Sequence, residues 1–234
     1  MGDHLSNPAE VRRILDSKEF FNHLHCELEV RPDGIVDING SGSFSVTKKA
    51  VVNGRLILRF GICNAQFNAV ASGIKSLENF PRVINGALSI QRNRDLVSWE
   101  GSPTKVHSMY AVMCGFTSMK GCPTVPLIDN SQNVNMNGCP LVDLDGINNI
   151  SCEDLNLPYN DNMGILRVLT APALRITLGN FVDRNNPGNS AKKATDIISE
   201  WRTAYMNGSA SKNKALLACQ RELMAAGLHG NARW

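Results

Sequence analysis

A six-residue sequence motif, which we call the phrase, recurs at nearly constant spacing and constrains the fold of this chain more than any other feature. It reads serine, a large apolar residue, a polar residue, usually glycine, any residue, proline. Copies occupy residues 76–81 (SLENFP), 98–103 (SWEGSP) and 118–123 (SMKGCP), and a degenerate copy covers residues 143–147 (DLDGI). The prolines are 22 and 20 residues apart, and the glycines at 121 and 146 are 25 residues apart. This spacing is typical of stacked arrays, in which each unit packs only on its neighbours.

Short segments with alternating apolar residues lie between these copies and predict β-strands. They are residues 52–60, 83–93, 106–112, 125–130, 154–157 and 174–180. We expect the strands to form a parallel sheet whose apolar side chains face a shared core. Asn93, Asn130 and Asn180 follow strands, at positions where a side-chain amide can bond the backbone of a turn. Trp99 replaces the leucine expected in its repeat and is predicted to fill the core.

The N-terminal 50 residues predict a cap for the first repeat. Asn7 and Pro8 have the residue types preferred at a helix start, and the helix is expected to end near residue 17. Residues 26–30 and 35–38 alternate like strands around a turn at residues 31–34. Asn39-Gly40 then predicts a hairpin to a strand at residues 44–46.

The C-terminal segment predicts two amphipathic helices, over residues 190–206 and 212–226, with Asn207-Gly208 ending the first. We expect this helical hairpin to cover the far end of the array. The predicted organisation is therefore a cap over residues 1–50, a solenoid over residues 51–182 and a helical pair over residues 183–234.

Residues 30–40 (VRPDGIVDING), the Gly-Arg-Leu strand that follows and the tandem Ser-Leu-Glu-x-x-Pro units resemble leucine-rich-repeat-like proteins of tailed bacteriophages. The resemblance covers about residues 25–150, and residues 219–234 are similar to the C-terminal tails of such proteins. It implies a phage origin and an α+β fold, a short leucine-rich-repeat-like solenoid with a parallel sheet. It implies no activity and no site residues.

The sequence contains no pattern that predicts catalysis or a cofactor. It has neither a Gly-x-Ser-x-Gly turn, nor a phosphate-binding loop, nor a dinucleotide-binding glycine pattern. The seven cysteines form no Cys-x-x-Cys pair, and their spacings fit no zinc site, which favours buried thiols in a reducing cytosol. No apolar run reaches the ~18 residues of a membrane-spanning helix. We therefore expect a cytoplasmic protein that is not an enzyme and holds no metal.

Charge is segregated along the chain. Residues 125–166 contain six acidic residues and no lysine or arginine, whereas residues 184–234 contain eight basic residues and three acidic ones. Either the helical pair docks on the acidic end of the array, or the two regions meet a charged partner.

These observations predict a protein-binding module, a phage-encoded inhibitor or adaptor that acts on a bacterial host protein such as a defence factor or an enzyme. The candidate contact residues are Gln91, Arg92, Arg94, His107, Tyr110, Asp129, Asp143 and Asp145. One alternative is nucleic-acid binding through the basic helices, with Lys192, Lys193, Lys212 and Lys214 as the phosphate contacts. The other is a minor virion component. Self-association through an open sheet edge also stays open.

Overall fold

The computed structural model describes residues 5–129, 131–179 and 189–234. Within them the helices are α1 (Pro8–Leu15), α2 (Asn189–Met206) and α3 (Lys212–Ala225), with short 3-10 helices at Lys48–Ala50, Ile147–Asn149 and Leu166–Thr170. The strands are β1 (Phe21–Leu24), β2 (Glu27–Val30), β3 (Val36–Asn39), β4 (Ser43–Val46), β5 (Val51–Val52), β6 (Arg55–Leu56), β7 (Phe60–Cys63), β8 (Gln66–Asn68), β9 (Val83–Ser89), β10 (Lys105–Tyr110), β11 (Asn133–Asn135), β12 (Asp154–Leu157) and β13 (Arg175–Leu178).

The strands build a β-solenoid of about seven turns, whose pairing is mostly parallel. One column of the sheet runs β4-β8-β9-β10-β11-β12-β13, and a second column joins β3 and β7 to the first half of β9. The predicted α+β class, parallel sheet and solenoid are therefore confirmed. The parallel pairing already includes β3 and β4, so it begins within the segment assigned to the N-terminal cap.

A row of apolar side chains holds successive turns in register. Paired positions along the longer column are Phe44, Phe67, Leu88, Met109, Val134, Leu155 and Ile176. All but the last are buried, because each is covered by the next turn. Ile176 belongs to the last strand of the sheet and is only half-buried.

A second row, five residues beyond the inward side chains of Leu88, Met109 and Val134, bonds backbone carbonyls between turns. The buried Asn93 donates from Nδ2 to the carbonyl oxygens of Ala69 (2.7 Å) and Ile90 (2.8 Å). Cys114 and Cys139 take the same place in the next two turns, and each donates from Sγ, at 3.0 Å, to a carbonyl of the preceding turn. The predicted role of Asn93 is confirmed, whereas Asn130 and Asn180 lie outside the described residues.

The recurring phrase is a local turn that repeats along a third side of the solenoid. In its three full copies the serine Oγ accepts from the backbone N–H two residues on, and Asp143 does the same with Oδ1 in the degenerate copy. The glycine that follows has a left-handed φ, 77° at Gly101, 84° at Gly121 and 103° at Gly146. Asn79 takes this conformation in the first copy, because asparagine tolerates it better than most residues. The repeat is therefore structural.

Two glycines of the phrase provide a matched test of this geometry. An added Cβ at Gly101 would lie 2.7 Å from the backbone nitrogen of Glu78, whereas the nearest atom at Gly121 is Trp99 Cβ at 3.6 Å. We expect Gly121→Ala to cost about 1–2 kcal/mol of unfolding free energy, from the left-handed φ alone. Gly101→Ala should cost more because the backbone must also move, and urea denaturation would measure both. Equal losses of unfolding free energy in the two variants would show that the close approach of Glu78 to Gly101 does not matter.

Three of the five Asn-Gly dipeptides, at residues 39–40, 53–54 and 85–86, have three different structures, and two of them correct the predictions. The expected strand over residues 52–60 is instead the antiparallel pair β5–β6 around Asn53-Gly54, both with positive φ, as a two-residue hairpin requires. Asn39-Gly40 makes no hairpin, since β3 pairs with β2 and β7 while β4 pairs with β1 and β8. Asn85-Gly86 lies within β9, where an added Cβ at Gly86 would lie 2.4 Å from the carbonyl oxygen of Ala65.

The strand predicted at residues 125–130 is also wrong. Val125 makes only an isolated bridge, to Ile150, and the strand of this turn is β11, eight residues later. Pro126 explains part of the shift, because a proline has no N–H to donate to a ladder. Leu127 and Ile128 are exposed in the loop that results.

The helices predicted at both ends of the solenoid and the first predicted strand pair are confirmed. Asn7 Oδ1 accepts from the backbone N–H of Ala9 at 3.0 Å at the start of α1, and β2 and β3 form the expected antiparallel pair. At the other end α2 and α3 pack on the 3-10 helix Leu166–Thr170, and α2 also contacts β13. The buried Asn231 bonds to the carbonyl oxygens of Asn160 (3.0 Å) and Met163 (2.9 Å), which fastens the C-terminal tail to the last turns.

Candidate binding surfaces

The side chains that point away from the core along the longer column form a surface, which we call the polar face, and Ser89 is its one buried member. Its central row is Ser45, Asn68, Ser89, Tyr110, Asn135, Asn156 and Thr177, paired strand by strand. No member of this row is charged, and Tyr110 is its only aromatic residue. Gln91 adjoins the row because its Nε2 donates to Ser89 Oγ at 3.0 Å. The structure therefore brings Gln91 and Tyr110, two of the predicted contact residues, to one place.

Sequence reasoning identified only these two members of the polar face. The other positions carry serine, asparagine and threonine, which the sequence also uses in its turns, so their composition is not distinctive. The signal that could have identified them is the alternation of side-chain direction along a strand, because each row member adjoins an inward apolar residue.

One border of the polar face is basic. Lys48, Arg92 and Arg94 line a shallow depression of about 330 Å³ beside the corner that follows the strands. Asp95 also lines it, but that carboxylate pairs with Lys75 at 3.0 Å. Arg92 has a left-handed φ of 62°, a conformation that the corner also imposes on Ala71 and Met113. Arg92 and Arg94 are exposed, and Arg92 directly follows Gln91, which adjoins the central row.

The opposite border holds His107, Ser131 and Asp129. Ser131 Oγ lies 3.4 Å from His107 Nε2 and donates a hydrogen bond to Asp129 Oδ1. This bond from the serine lowers the pKa of Asp129, and the nearby histidine lowers it further. In a serine hydrolase the carboxylate orients the histidine, whereas here it bonds the serine and directs the hydroxyl proton away from the imidazole. We therefore interpret the three residues as a polar, anionic border.

Asp143 and Asp145 lie on the third side of the solenoid, away from the other predicted contact residues. Asp143 accepts from Ser118 Oγ at 2.7 Å and from the backbone N–H of Asp145 at 2.8 Å, which makes it part of a turn. Asp145 pairs with Arg167 at 3.4 Å. Farther along, Arg175 pairs with Asp154 at 2.6 Å and with Glu153 at 2.7 Å. The acidic stretch is thus partly neutralised within the solenoid.

The four lysines proposed as phosphate contacts form two separate pairs. Lys193 Nζ donates to the carbonyl oxygen of Ala226 at 3.3 Å, which places Lys192 and Lys193 at the end of α3. Lys212 and Lys214 lie at its start, about 20 Å away along the helix. Lys192 pairs with Asp196 at 2.6 Å, and Lys212 lies over the ring of Trp234 at 5.5 Å. They therefore form no continuous basic surface.

The cysteines are placed as core residues. Burial raises the pKa of five thiols to about 12, those of Cys63, Cys122, Cys139, Cys152 and Cys219, and raises that of Cys114 to about 11. Thiols with such pKa values stay neutral at physiological pH and are poor nucleophiles. Cys26 is half-buried. Over residues 5–129, 131–179 and 189–234, no group of three or more His, Cys, Asp or Glu residues is placed to hold a metal ion.

One cavity was not predicted from the sequence. It has a volume of about 660 Å³ and lies between β13 and α2, and we call it the terminal groove. Its walls come from residues 173–178 and from one face of α2, segments that are distant in sequence. The exposed Leu174 and Met206 lie at its margins.

None of the helices in the described part of the chain is both long and apolar enough to cross a bilayer. Comparison with protein-family models, with curated proteins and with solved structures finds no match for this chain.

Proposed function

We propose that the chain is a protein-binding solenoid that holds a partner protein on its polar face. The observation that carries the proposal is the uncharged row of seven paired side chains with a tyrosine at its centre. Uncharged polar groups lose less on desolvation than charged ones, and tyrosine is enriched among the residues that dominate binding energy. Repeat proteins commonly use such extended surfaces to bind other molecules.

The leucine-rich-repeat-like interpretation is part of this proposal. Such repeats carry the pattern leucine-x-leucine-x-x-asparagine or cysteine. Three successive turns of this chain fit it with related apolar residues: Leu88-x-Ile90-x-x-Asn93, Met109-x-Ala111-x-x-Cys114 and Val134-x-Met136-x-x-Cys139. The hydrogen bonds of Asn93, Cys114 and Cys139 to carbonyls of the preceding turn give the pattern a physical reason.

The dimensions of the polar face favour a contact that extends onto both borders. Seven strands at ~4.8 Å spacing and about five residues of strand give a surface of roughly 29 by 16 Å. This is about half of the ~800 Å² that each partner buries in a stable complex. The basic border with Arg92 and Arg94 and the anionic border with His107 and Asp129 supply the remainder. A partner with the opposite charges at its own borders would fit in one orientation only.

The resemblance to tailed-phage proteins suggests the class of partner. We propose a bacterial protein of the host cytosol, with the chain acting as an inhibitor or adaptor. Binding alone is sufficient for either role, since a solenoid that covers a functional surface blocks it without chemistry. Candidate partners include defence factors and host enzymes.

The test is a retention experiment with two variants of the tagged chain. Bacterial lysate, with and without nuclease treatment and at low and high salt, is passed over wild-type protein, Tyr110→Ala and the off-face control Lys120→Ala, and retained proteins are quantified by mass spectrometry. We expect a host protein that wild type and Lys120→Ala retain equally and that Tyr110→Ala retains at least tenfold less, as for a central contact residue. The affinity is then measured with the purified partner.

Two results would contradict the proposal. Equal retention by all three proteins would show that the polar face is not used. Retention that disappears with nuclease and falls steeply with salt would favour the nucleic-acid alternative instead. Circular dichroism melts of the variants, expected to overlap, would exclude loss of folding as the cause.

A further inference from the structure

The terminal groove has one wall made of strand and one made of helix. The strand wall is β13, and the helix wall is the face of α2 formed by Thr195, Ile198, Ser199, Arg202, Thr203 and Met206. Their spacing of three and four residues places them along one side of the helix. This wall is about 17 Å long, at 1.5 Å per residue. That length matches about five residues of extended chain.

The strand wall presents an unpaired edge. Within the described residues, β13 pairs only with β12. Arg175 N donates to Glu153 O at 2.7 Å and Gly179 N to Leu157 O at 3.0 Å. Backbone groups alternate in direction along a strand, so the N–H and C=O groups of Ile176 and Leu178 point away from β12. No bond from the rest of the described chain reaches them. Such an edge is a template for a further strand.

The groove also leaves apolar surface uncovered. Leu174 is 53% exposed and Met206 is 59% exposed. Ile176 ends the inward row of the sheet and is half-buried, whereas the equivalent side chains of the six earlier turns are buried by the next strand. An added strand would cover Ile176 in the same way that each later strand covers the equivalent side chain of the strand before it.

The charges in the groove favour an anionic occupant. No acidic residue lines it, and the two cations that do are Arg175 and Arg202. Arg175 is neutralised by Asp154 and Glu153. Arg202 is only 8% exposed, and its guanidinium donates to the carbonyl oxygens of Val168, Leu169 and Ala173. Among the described residues no carboxylate pairs with it, so its charge is solvated only by dipoles.

We propose that the terminal groove binds an extended peptide segment of a partner protein, which adds to the free edge of β13 as an eighth strand of the column. The segment carries apolar residues at alternate positions, facing the groove beside Ile176, and a carboxylate near Arg202. This mode takes affinity from the backbone and specificity from alternate side chains. The site is separate from the centre of the polar face, because Tyr110 on β10 lies three strands away, about 14 Å.

A random heptapeptide display library, selected on the immobilised full chain, tests the proposal. We expect enrichment of sequences with apolar residues at alternate positions and at least one Asp or Glu, and depletion of proline and lysine. The enriched peptide is then synthesised with a fluorescein label, and its binding is measured by fluorescence anisotropy. A version N-methylated at alternate residues cannot pair with β13 and should bind at least tenfold more weakly. A version with lysine in place of the acidic residue should weaken binding similarly.

Two variants of neighbouring α2 residues locate the site. Ser199→Tyr places a large side chain in the groove and should weaken binding at least tenfold. Glu200→Tyr adds the same side chain one residue on, outside the groove lining, and should change binding less than twofold. Both residues are exposed, so neither variant should alter the thermal melt.

Several results would overturn the proposal. They are no enrichment from the library, equal binding of the N-methylated peptide, and binding that Ser199→Tyr leaves unchanged. Occupation of the groove by residues 180–188 of the same chain would appear as no enrichment. Occupation by a second copy would appear as a mass that rises with concentration in light scattering and falls in Ser199→Tyr. Tyr110→Ala should not affect peptide binding, which keeps this result independent of the polar face.

Discussion

Trp99→Ala should lower the free energy of unfolding by about 3–5 kcal/mol, the range observed when a buried tryptophan is truncated. Trp99 is 5% exposed and lies on the ring of Phe116, with 3.7 Å between centroids and 3° between planes. Its Nε1 donates to the carbonyl oxygen of Ser118 at 3.0 Å. The substitution removes the stacking, leaves a cavity between two turns and leaves that carbonyl without this donor. Guanidinium denaturation followed by circular dichroism would measure the loss.

Trp99→Leu is the matched control, because the other copies of the phrase have Leu77, Met119 and Leu144 at this position. Leucine restores most of the apolar contact but not the hydrogen bond to Ser118. Its cost should therefore lie clearly below that of alanine. A loss of less than about 1 kcal/mol for Trp99→Ala, a value typical of exposed sites, would show that the ring does not join the two turns.

The parts of the fold that could be predicted are those with a local physical cause. The phrase repeats because each copy needs a serine oxygen for one N–H and a residue that tolerates a left-handed φ, as at Gly101 and Gly121. The helix start at Asn7 and the helix ends at Gly208 and Gly227, both with positive φ, also depend on a few adjacent residues. Such signals remain readable in a single sequence.

The parts that could not be predicted depend on neighbours that are distant in sequence. Asn53-Gly54 and Asn85-Gly86 are the same dipeptide, yet the first is a hairpin turn and the second lies inside a strand. What distinguishes them is the backbone of Ala65, which passes so close to Gly86 that no Cβ fits. Likewise, Cys114 and Cys139 take the place of Asn93, because each bonds a carbonyl oxygen of the preceding turn that is distant in sequence.

The candidate sites also divide into residues with a local sequence signal and features that depend on neighbours distant in sequence. Gln91 and Tyr110 could be predicted because they occupy positions of the predicted repeat strands that do not face the core, and they meet beside Ser89. Asp143 was selected for its charge, but a turn uses both of its oxygens. The terminal groove combines a strand edge with a helix more than ten residues later, so no local pattern could indicate it.

Asn93→Leu should cost about 2–4 kcal/mol, because a buried polar group that loses its partner costs 1–3 kcal/mol and more than one is affected. The change keeps the side-chain volume but removes the donors to Ala69 O and Ile90 O and the acceptor for Gly73 N, at 2.9 Å. Asn85→Leu is the control, because Asn85 is exposed and its bond to Asn64 faces solvent, so its cost should stay within about 0.5 kcal/mol. Asn93→Cys should recover part of the stability, since a thiol bonds the preceding turn at Cys114. If cysteine and leucine cost the same at position 93 in urea denaturation, the volume of the side chain and not its hydrogen bonds would be what joins the turns.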